Sequence, residues 1–350
     1  MLFFLHFVYI CRRNDSTASH TSSSSTHSGR SWLYCVKYRT KIITTIYFKA
    51  YRRGRPFFIS NTPQMSSNLK IAIQKSGRLN DNSVSLLRES GIYFDNGMGK
   101  LKTTAINFPM ELFLLRDDDI PQYVEDQVAD VGVVGENVLL EKGKNLEIVQ
   151  RLGFGKCKLS IAIPRESEYS GISDLNNIRI ATSYPVLLKE FLDKNGVVAE
   201  IHEISGSVEI APGIGLSDAI CDLVSSGSTL LTNGLKEVEV ILKSEAVLVA
   251  NRTLDQGKRD LLDKLVFRLK AVRKAKTNKY ILLNAPNTSL DSICNLLPGM
   301  KSPTILPLAD ENWSSVHSVV EEDKFWDVIE SLKQFGAQGI LVVPIEKMIL

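Results

Sequence analysis

The sequence predicts an α/β protein whose core alternates strands and helices, followed by a smaller domain of the ferredoxin-like order βαββαβ. Two observations carry this prediction. From residue 69, apolar strand-like runs alternate with amphipathic segments of helical period, and a repeated β-then-α order implies a parallel sheet. From about residue 280, two helical segments separate four strand-like runs in the ferredoxin-like order.

The elements follow from hydrophobic period and from stop signals. The core opens with a buried strand at 70–73, a loop at 75–79 and a helix at 80–90 that ends at Gly91. Further core strands are predicted at 111–116, 129–134, 158–164, 178–182, 237–242 and 246–250, with helices at 120–126 and 186–195. A long helix at 260–276 leads to strands at 280–284, 304–308, 314–320 and 339–343 and helices at 290–297 and 324–335.

Composition is that of an ordinary globular protein. The chain has 350 residues, of which 44% are hydrophobic and 23% charged, so two or three domains are expected. The five cysteines are an odd number without a C-x-x-C pair, which predicts reduced thiols and a cytoplasmic location. Neither they nor the five histidines have the spacing of a zinc site.

Residues 1–64 differ in character from the rest. They hold ten Lys and Arg residues against one acid, with a Ser/Thr-rich run at 22–28, and we expect disorder or loose structure. Their apolar start is too short to span a bilayer. Two interpretations stay open: translated upstream sequence with Met65 as the true start, which we favour, or an organelle transit peptide.

The segment from Asp222 to Leu230, DLVSSGSTL, carries the clearest functional pattern. A carboxylate near a strand end precedes a turn of small hydroxyl residues, and Gly227 allows the backbone a positive φ and a close approach to an anion. Backbone N–H groups and hydroxyls of such a turn can converge on one phosphate. The pattern predicts a phosphate cradle, although plain Ser/Gly loops share it.

The residues around this turn resemble two known patterns. The turn is similar to the phosphoribosyl pyrophosphate loop of phosphoribosyltransferases, with Cys221 in place of the first of two acids. The longer run 209–230 resembles ATP phosphoribosyltransferase, the first enzyme of histidine biosynthesis. Matching segments at 73–79, 115–121, 129–137 and 180–185 extend the resemblance to the long form of that family, over about residues 66–350.

The resemblance implies a domain plan. It implies a two-lobed, periplasmic-binding-protein-like catalytic core with a C-terminal ferredoxin-like regulatory domain. Lobe I is expected at 65–156 plus 236–256, lobe II with the cradle at 157–235, and the regulatory domain at 257–350. A cleft between two lobes is where a substrate site is expected.

The resemblance also implies the chemistry. Ring nitrogen 1 of ATP attacks the anomeric carbon of phosphoribosyl pyrophosphate and diphosphate leaves, with Mg²⁺ neutralising diphosphate oxygens. Histidine is the implied feedback inhibitor, acting on a homo-oligomer that passes from dimers to hexamers. Neither nucleic acid nor membrane is expected as a partner.

Residue roles follow from matching positions. Asp222, Glu209 and Asp218 are expected as the catalytic group, facing ribose hydroxyls or the metal, with Glu209 or Asp222 as candidate ligands of Mg²⁺; Asp218 could equally be an exposed acid. The 5-phosphate of phosphoribosyl pyrophosphate is expected to bind to Ser225, Ser226, Gly227, Ser228 and Thr229. Contacts to ATP or diphosphate are expected from Gln74, Lys75, Gly77, Arg78, Gly135, Glu136, Thr182, Ser183 and Tyr184. The histidine site is expected at Ser302, Thr304 and Leu308.

Two readings compete with the enzyme. A solute-binding or ligand-sensing protein could use the same two lobes, but the sequence shows no secretion signal and no output module. A non-catalytic regulatory protein of the same fold would need a broken cradle, whereas residues 222–229 are intact. Asp119, which precedes Ile120-Pro121, is interpreted as a helix N-cap and not as part of a metal cluster.

Overall fold

The computed structural model describes residues 68–94, 100–297, 299 and 302–349. The two interpretations of residues 1–64, and Met65 itself, lie outside the described residues. Three β-sheets organise the described part of the chain. None of the helices described there is both long enough and apolar enough to cross a bilayer.

The elements alternate as the sequence predicts, with additional short strands. The strands are β1 (Leu69–Gln74), β2 (Lys102–Thr104), β3 (Met110–Leu115), β4 (Val131–Gly135), β5 (Glu147–Arg151), β6 (Cys157–Pro164), β7 (Arg179–Thr182), β8 (Glu200–Glu203), β9 (Ala219–Val224), β10 (Leu235–Ser244), β11 (Ala246–Ala250), β12 (Asn278–Pro286), β13 (Thr304–Pro307), β14 (Trp313–Glu321) and β15 (Gln338–Pro344). The helices are α1 (Arg78–Glu89), α2 (Ile120–Glu125), α3 (Glu136–Glu141), α4 (Pro185–Lys194), α5 (Ser228–Thr232), α6 (Gln256–Lys276), α7 (Leu290–Leu296) and α8 (Glu322–Gln334).

Lobe I is built on a six-stranded sheet in the order β2-β3-β1-β4-β11-β5. β1 pairs in parallel with β3 and β4, as predicted, whereas β11 is antiparallel to β4 and β5. The orientation of β11 differs because the chain returns from lobe II at the carboxyl end of β4, where Ala246 pairs with Gly135. The sheet is therefore mixed, and the predicted parallel arrangement holds for its centre.

Helix α6 packs on lobe I. Its apolar residues recur at helical spacing, so Leu262, Leu265 and Leu269 share one face. All three are buried in the same cluster as Ile71 and Ile73 of β1. The predicted boundary at residue 257 falls too early, because this helix completes the core of lobe I before the C-terminal domain begins.

Lobe II is built on a five-stranded sheet in the order β10-β6-β9-β7-β8. β7 is parallel to β8 and β9, and β6 is antiparallel to β9 and β10. β10 pairs with β6 along its length, from Leu235 opposite Pro164 to Ser244 opposite Cys157. Residues 236–244, which were predicted in lobe I, therefore belong to lobe II, and β11 alone makes the return.

The C-terminal domain has the predicted order βαββαβ. Its antiparallel sheet runs β13-β14-β12-β15, the strand arrangement of a ferredoxin-like fold. Residues of α7 and α8, among them Ile293 and Leu332, pack with Ile281, Leu283 and Val316 of the sheet. This prediction is confirmed.

Two crossovers connect the lobes at matching edges. The first leaves β5 after Arg151 and enters β6 at Cys157, next to the end of β9. The second is Glu245 alone, which joins the end of β10 to the start of β11, beside the end of β4. The carboxyl ends of the parallel strands in both lobes therefore lie at the crossovers and border one cleft, where ligands of open α/β sheets bind.

Candidate active site

The Ser/Thr/Gly turn begins where β9 ends and leads the chain into α5. Gly227 takes φ +77° and ψ −1°, a left-handed conformation that glycine adopts without strain. The hydroxyl oxygens of Ser226 and Ser228 lie 3.0 Å apart, and these side chains, with Ser225 and Thr229, are exposed. Because the first N–H groups of a helix have no acceptor within it, donors collect at this turn. This turn, called the cradle, therefore gathers hydroxyl and N–H donors of the kind that bind an anion.

Asp222 lies near the carboxyl end of β9, half-buried beside the cradle. Its carboxylate accepts a hydrogen bond of 2.7 Å from the N–H group of Leu223. Burial raises the pKa of Asp222, and the negative charge of Glu209 raises it further. Glu209 lies in a 3₁₀ turn at 208–210. The structure therefore brings these two predicted carboxylates together, in a setting typical of functional acids.

Cys221 points to the opposite face of β9. It is 0% exposed within the core of lobe II, and burial raises the pKa of its thiol to about 12. Alternate residues of a strand face opposite sides of a sheet. An acid at position 221 would therefore face the core, so Asp222 is the residue of this pair that can reach a ribose in the cleft.

Asp218 lies at the other end of β9. Its carboxylate accepts hydrogen bonds from the Arg179 side chain at 2.8 and 3.1 Å, and from the Arg179 backbone N–H at 2.9 Å. The Arg179 guanidinium holds the pKa of Asp218 below its usual range. At roughly 3.3 Å per strand residue, Asp218 is about 20 Å from the cradle. This placement argues against the predicted catalytic role and assigns Asp218 to joining β7 and β9.

The loop after β7 is tied down by its own side chains. The Thr182 hydroxyl donates to the Cys221 carbonyl at 2.7 Å and accepts from the Tyr184 N–H at 2.9 Å. The Ser183 hydroxyl donates to the Ile204 carbonyl at 2.7 Å. Thr182 is 0% exposed, so its predicted contact with substrate is replaced by a structural role, while Tyr184 stays at the cleft.

The loop after β1 keeps its predicted cations at the cleft edge of lobe I. Lys75 and Arg78 are exposed, and the backbone N–H of Lys75 donates to the Leu115 carbonyl at 2.7 Å. The side chain of Asn80 donates to the Gln74 carbonyl at 2.6 Å. Gly77 has φ +89° just before α1. The loop is thus fixed by backbone contacts, and its two cationic side chains remain available to an anion.

Gly135 and Glu136 have structural roles that the sequence did not show. A Cβ at Gly135 would overlap the side-chain oxygen of Asn137, so any larger residue there would displace Asn137 from its hydrogen bond with Ser244. Glu136 is buried, and its carboxylate accepts hydrogen bonds from the two terminal guanidinium nitrogens of Arg151, Nη1 and Nη2. The side chain predicted to contact ATP or diphosphate therefore holds Arg151, whose guanidinium is half-exposed.

Four side chains connect the two lobes. The Ser244 hydroxyl donates to the side-chain oxygen of Asn137 at 2.8 Å and accepts from its backbone N–H at 3.0 Å. The Asn137 amide donates to the Tyr184 hydroxyl at 3.1 Å. Glu141 of α3 accepts from the backbone N–H groups of Val186 and Leu187 at 2.9 and 3.0 Å, at the start of α4. A negative charge at a helix N-terminus is electrostatically favourable, so this contact stabilises the association of lobe II with lobe I.

Sequence reasoning missed Asn137, Glu141, Arg151 and Ser244 as residues of this site. Asn137 ends the matching segment 129–137, but no motif connects Asn137 to Ser244, because the two residues are 107 positions apart. Asp119 occupies the predicted N-cap position of α2, but it also ends a 3₁₀ turn at 117–119 and its side chain makes no capping hydrogen bond. Burial and the neighbouring acid Asp118 raise the pKa of Asp117 in the same turn.

Comparison with known proteins agrees with the geometry. The family model described as ATP phosphoribosyltransferase matches residues 116–271, and that described as HisG, C-terminal domain, matches residues 275–347. An ATP phosphoribosyltransferase of Cytophaga hutchinsonii is 56% identical over 285 residues, covering 81% of this chain and 100% of the relative. The chain belongs to the ATP phosphoribosyltransferase family. A relative of that name from Bacteroides thetaiotaomicron is also 56% identical, over 282 residues.

A solved structure that bears the name of this family is similar to part of the chain. A chain of the ATP phosphoribosyl transferase (HisG:HisZ) complex from Thermotoga maritima superposes with a TM-score of 0.50 at 30% identity. The match covers 58% of the present chain and 98% of that chain.

Membership of the ATP phosphoribosyltransferase family raises the question of a metal. Within the described residues, no three His, Cys, Asp or Glu side chains are placed to hold an ion. Asp222 lies beside the cradle, and Glu209 is near enough for its charge to act on Asp222. Mg²⁺ commonly uses one or two carboxylates together with phosphate oxygens and water. The donor set fits a magnesium ion that arrives with a diphosphate, and it does not fit a site made by protein alone.

The predicted histidine segment of this ATP phosphoribosyltransferase family member lies on an edge of the C-terminal sheet. Thr304 opens β13, is exposed and pairs with His317 of β14. Ser302 is also exposed, and Leu308 is half-buried with its N–H bonded to the Trp313 carbonyl at 3.0 Å. The three residues therefore lie along one edge strand of the domain.

Proposed function

We propose that this chain transfers the phosphoribosyl group of phosphoribosyl pyrophosphate to ring nitrogen 1 of ATP and releases diphosphate, the first step of histidine biosynthesis. The observation that carries the proposal is the cradle at 225–229, held open by the left-handed Gly227 beside the half-buried Asp222. Family membership, supported by 56% identity over the full length of a relative, points to the same reaction.

The cradle is the anchor for the donor. Its exposed hydroxyls and N–H groups bind the 5-phosphate of the ribose, which fixes the anomeric carbon relative to the cleft. Asp222, on the same strand, accepts hydrogen bonds from the ribose hydroxyls. Its negative charge also stabilises the positive charge that develops on the sugar in the transition state.

The reaction itself needs no covalent intermediate with the protein. A bond forms between ring nitrogen 1 of ATP and the anomeric carbon as the bond to the diphosphate oxygen breaks, and the electron pair leaves with diphosphate. Lys75 and Arg78 reach this leaving group from lobe I. When bound, Mg²⁺ would neutralise diphosphate oxygens from the side of Asp222 and Glu209. Rate then depends on how the two lobes orient the substrates.

The C-terminal domain is the proposed site of feedback inhibition by histidine, through Ser302, Thr304 and Leu308. All three lie on or beside the edge strand β13, which leaves backbone groups free to meet a ligand or a second copy. The proposal includes a homo-oligomer that shifts from dimers toward hexamers with histidine, and a cytoplasmic location. Sedimentation velocity with and without histidine tests the assembly.

The decisive assay mixes the chain with ATP, phosphoribosyl pyrophosphate and Mg²⁺ and follows product by ultraviolet absorbance. We expect turnover that histidine lowers and that Asp222→Asn abolishes without loss of phosphate binding. If the chain binds phosphoribosyl pyrophosphate by calorimetry but never turns over, the non-catalytic regulatory reading is correct and this proposal is wrong.

A further inference from the structure

A second anionic site adjoins the cradle. A cavity of about 510 Å³ opens next to Ser225, the first residue of the cradle, and extends to the interlobe crossovers. Its charged lining consists of Arg151, Lys156, Lys158, Lys243 and Glu245. Within the described residues, Arg151 pairs with Glu136 and Glu245, and Lys158 pairs with Glu237, so the unbalanced positive charge of the wall comes from Lys156 and Lys243. The sequence analysis predicted none of these four cations as ligand contacts; it named Lys75 and Arg78.

Strand pairing explains why these cations meet. Lys158 of β6 lies opposite Lys243 of β10 and opposite Val224 of β9, so three neighbouring strands end at one wall of the cavity. Like charges directly opposite each other on a sheet are destabilising. Glu237 offsets only Lys158, whose ammonium lies 2.6 and 2.8 Å from its carboxylate oxygens. Among the described residues Lys243 has no carboxylate partner, so an anion in the cavity would offset its charge.

Two of the cations are unused within the protein. In the part of the chain that the structure describes, Lys156 and Lys243 are exposed and make no ion pair, while Arg151 is held by Glu136. Arg151 is thereby fixed in place with half of its side chain still open to solvent. The cavity therefore presents one preorganised guanidinium and two free ammonium groups to an incoming ligand.

We propose that this cavity binds the polyphosphate chain of a substrate, with Lys156 and Lys243 as its principal contacts. A polyphosphate is linear and carries several negative charges, which suits cations spread along a cavity that starts at the phosphate cradle. The proposal rests on the proposed function. In the proposed reaction, two substrates carry such a polyphosphate: the ribosyl donor carries a diphosphate and ATP carries a triphosphate.

The test uses Lys156→Met and Lys243→Met, with Lys236→Met as the matched control. Lys236 is on β10 as well, but it pairs with Ile163 at the far end of the strand. Affinities for ATP and for phosphoribosyl pyrophosphate are measured separately by calorimetry. We expect each cavity variant to weaken one of the two by about tenfold, because a charge-assisted hydrogen bond is lost.

The pattern of loss identifies the source. Weaker ATP with unchanged donor affinity assigns the cavity to the triphosphate, and the reverse result assigns it to the diphosphate. If both affinities stay within about twofold of the wild type, or if Lys236→Met weakens them equally, the proposal is wrong. The melting temperature of each variant shows that the fold is intact.

Inorganic tripolyphosphate separates this inference from the proposed function. It is titrated into the full chain and into each variant, without any turnover being required. Binding to the wild type that the two cavity variants lose supports the site even if the enzyme assay fails. Equal binding by all variants would contradict the site even if the enzyme is active.

Discussion

Replacing Gly227 with Ala tests whether the left-handed turn holds the donor. The backbone at this position has φ +77° and ψ −1°, and a new Cβ would meet nothing closer than Val224 Cγ1 at 4.0 Å. The change is therefore conformational and not steric. An L-residue in this region costs about 1–2 kcal/mol, which corresponds to a factor of about 5–30 in an equilibrium constant.

This free energy is lost either from donor binding or from folding, depending on whether the loop relaxes in the unbound variant. If the free loop relaxes out of the left-handed conformation, binding of phosphoribosyl pyrophosphate must restore it, and the dissociation constant rises by about 5–30-fold. If the loop does not relax, the same free energy is lost from unfolding. Calorimetry with the donor and denaturant unfolding of the same variant measure both parts.

Two controls make this prediction specific. Gly234→Ala imposes the same strain, since Gly234 has φ +68° and nothing lies within 4 Å of its Cβ position, but it follows α5 instead of preceding it. It should lower stability and leave donor affinity unchanged. Gly227→Asn should recover most of the affinity, because Asn tolerates the left-handed region. Loss of affinity equal in Gly227→Ala and Gly234→Ala would refute the reasoning.

Two further predictions concern the acids of the cleft. Burial raises the pKa of Asp222 above 3.8, so its charge costs stability above the folded-state pKa and nothing below the unfolded one. Asp222→Asn should therefore melt higher than the wild type at neutral pH, with a difference that shrinks toward about pH 4; a constant difference contradicts this. Glu141→Ala removes the contact with the start of α4 and should cost about 1–2 kcal/mol in urea unfolding and raise the KM values. Glu190→Ala is the control, because Glu190 is an exposed residue of α4. Equal losses of stability in the two variants would refute the role of Glu141 in joining the lobes.

Local patterns explain what the sequence predicted. The strand β9, the turn at Gly227 and the order βαββαβ follow from hydrophobic period and turn residues, which act over short distances. The exposure of Lys75 and Arg78 is likewise predicted locally, because both residues come just after strand β1. The family resemblance added the reaction.

Pairing between distant segments explains what the sequence did not predict. Strand β10 alternates polar and apolar residues that do not specify β6 as its partner, so its lobe was misassigned. The partner of Asp218 is Arg179, 39 residues away, and no spacing rule connects them. The basic cavity depends on the register of Lys158 against Lys243.

The single residue between β10 and β11 has a mechanical consequence. Because Glu245 alone separates a strand of one sheet from a strand of the other, the lobes can only rotate about this point and cannot slide apart. In such a rotation, displacement grows with distance from the pivot. The cationic wall beside Glu245 hardly moves, while residues farther from this point move more. A ligand held at that wall would therefore keep its contacts while the far end of the cleft opens and shuts.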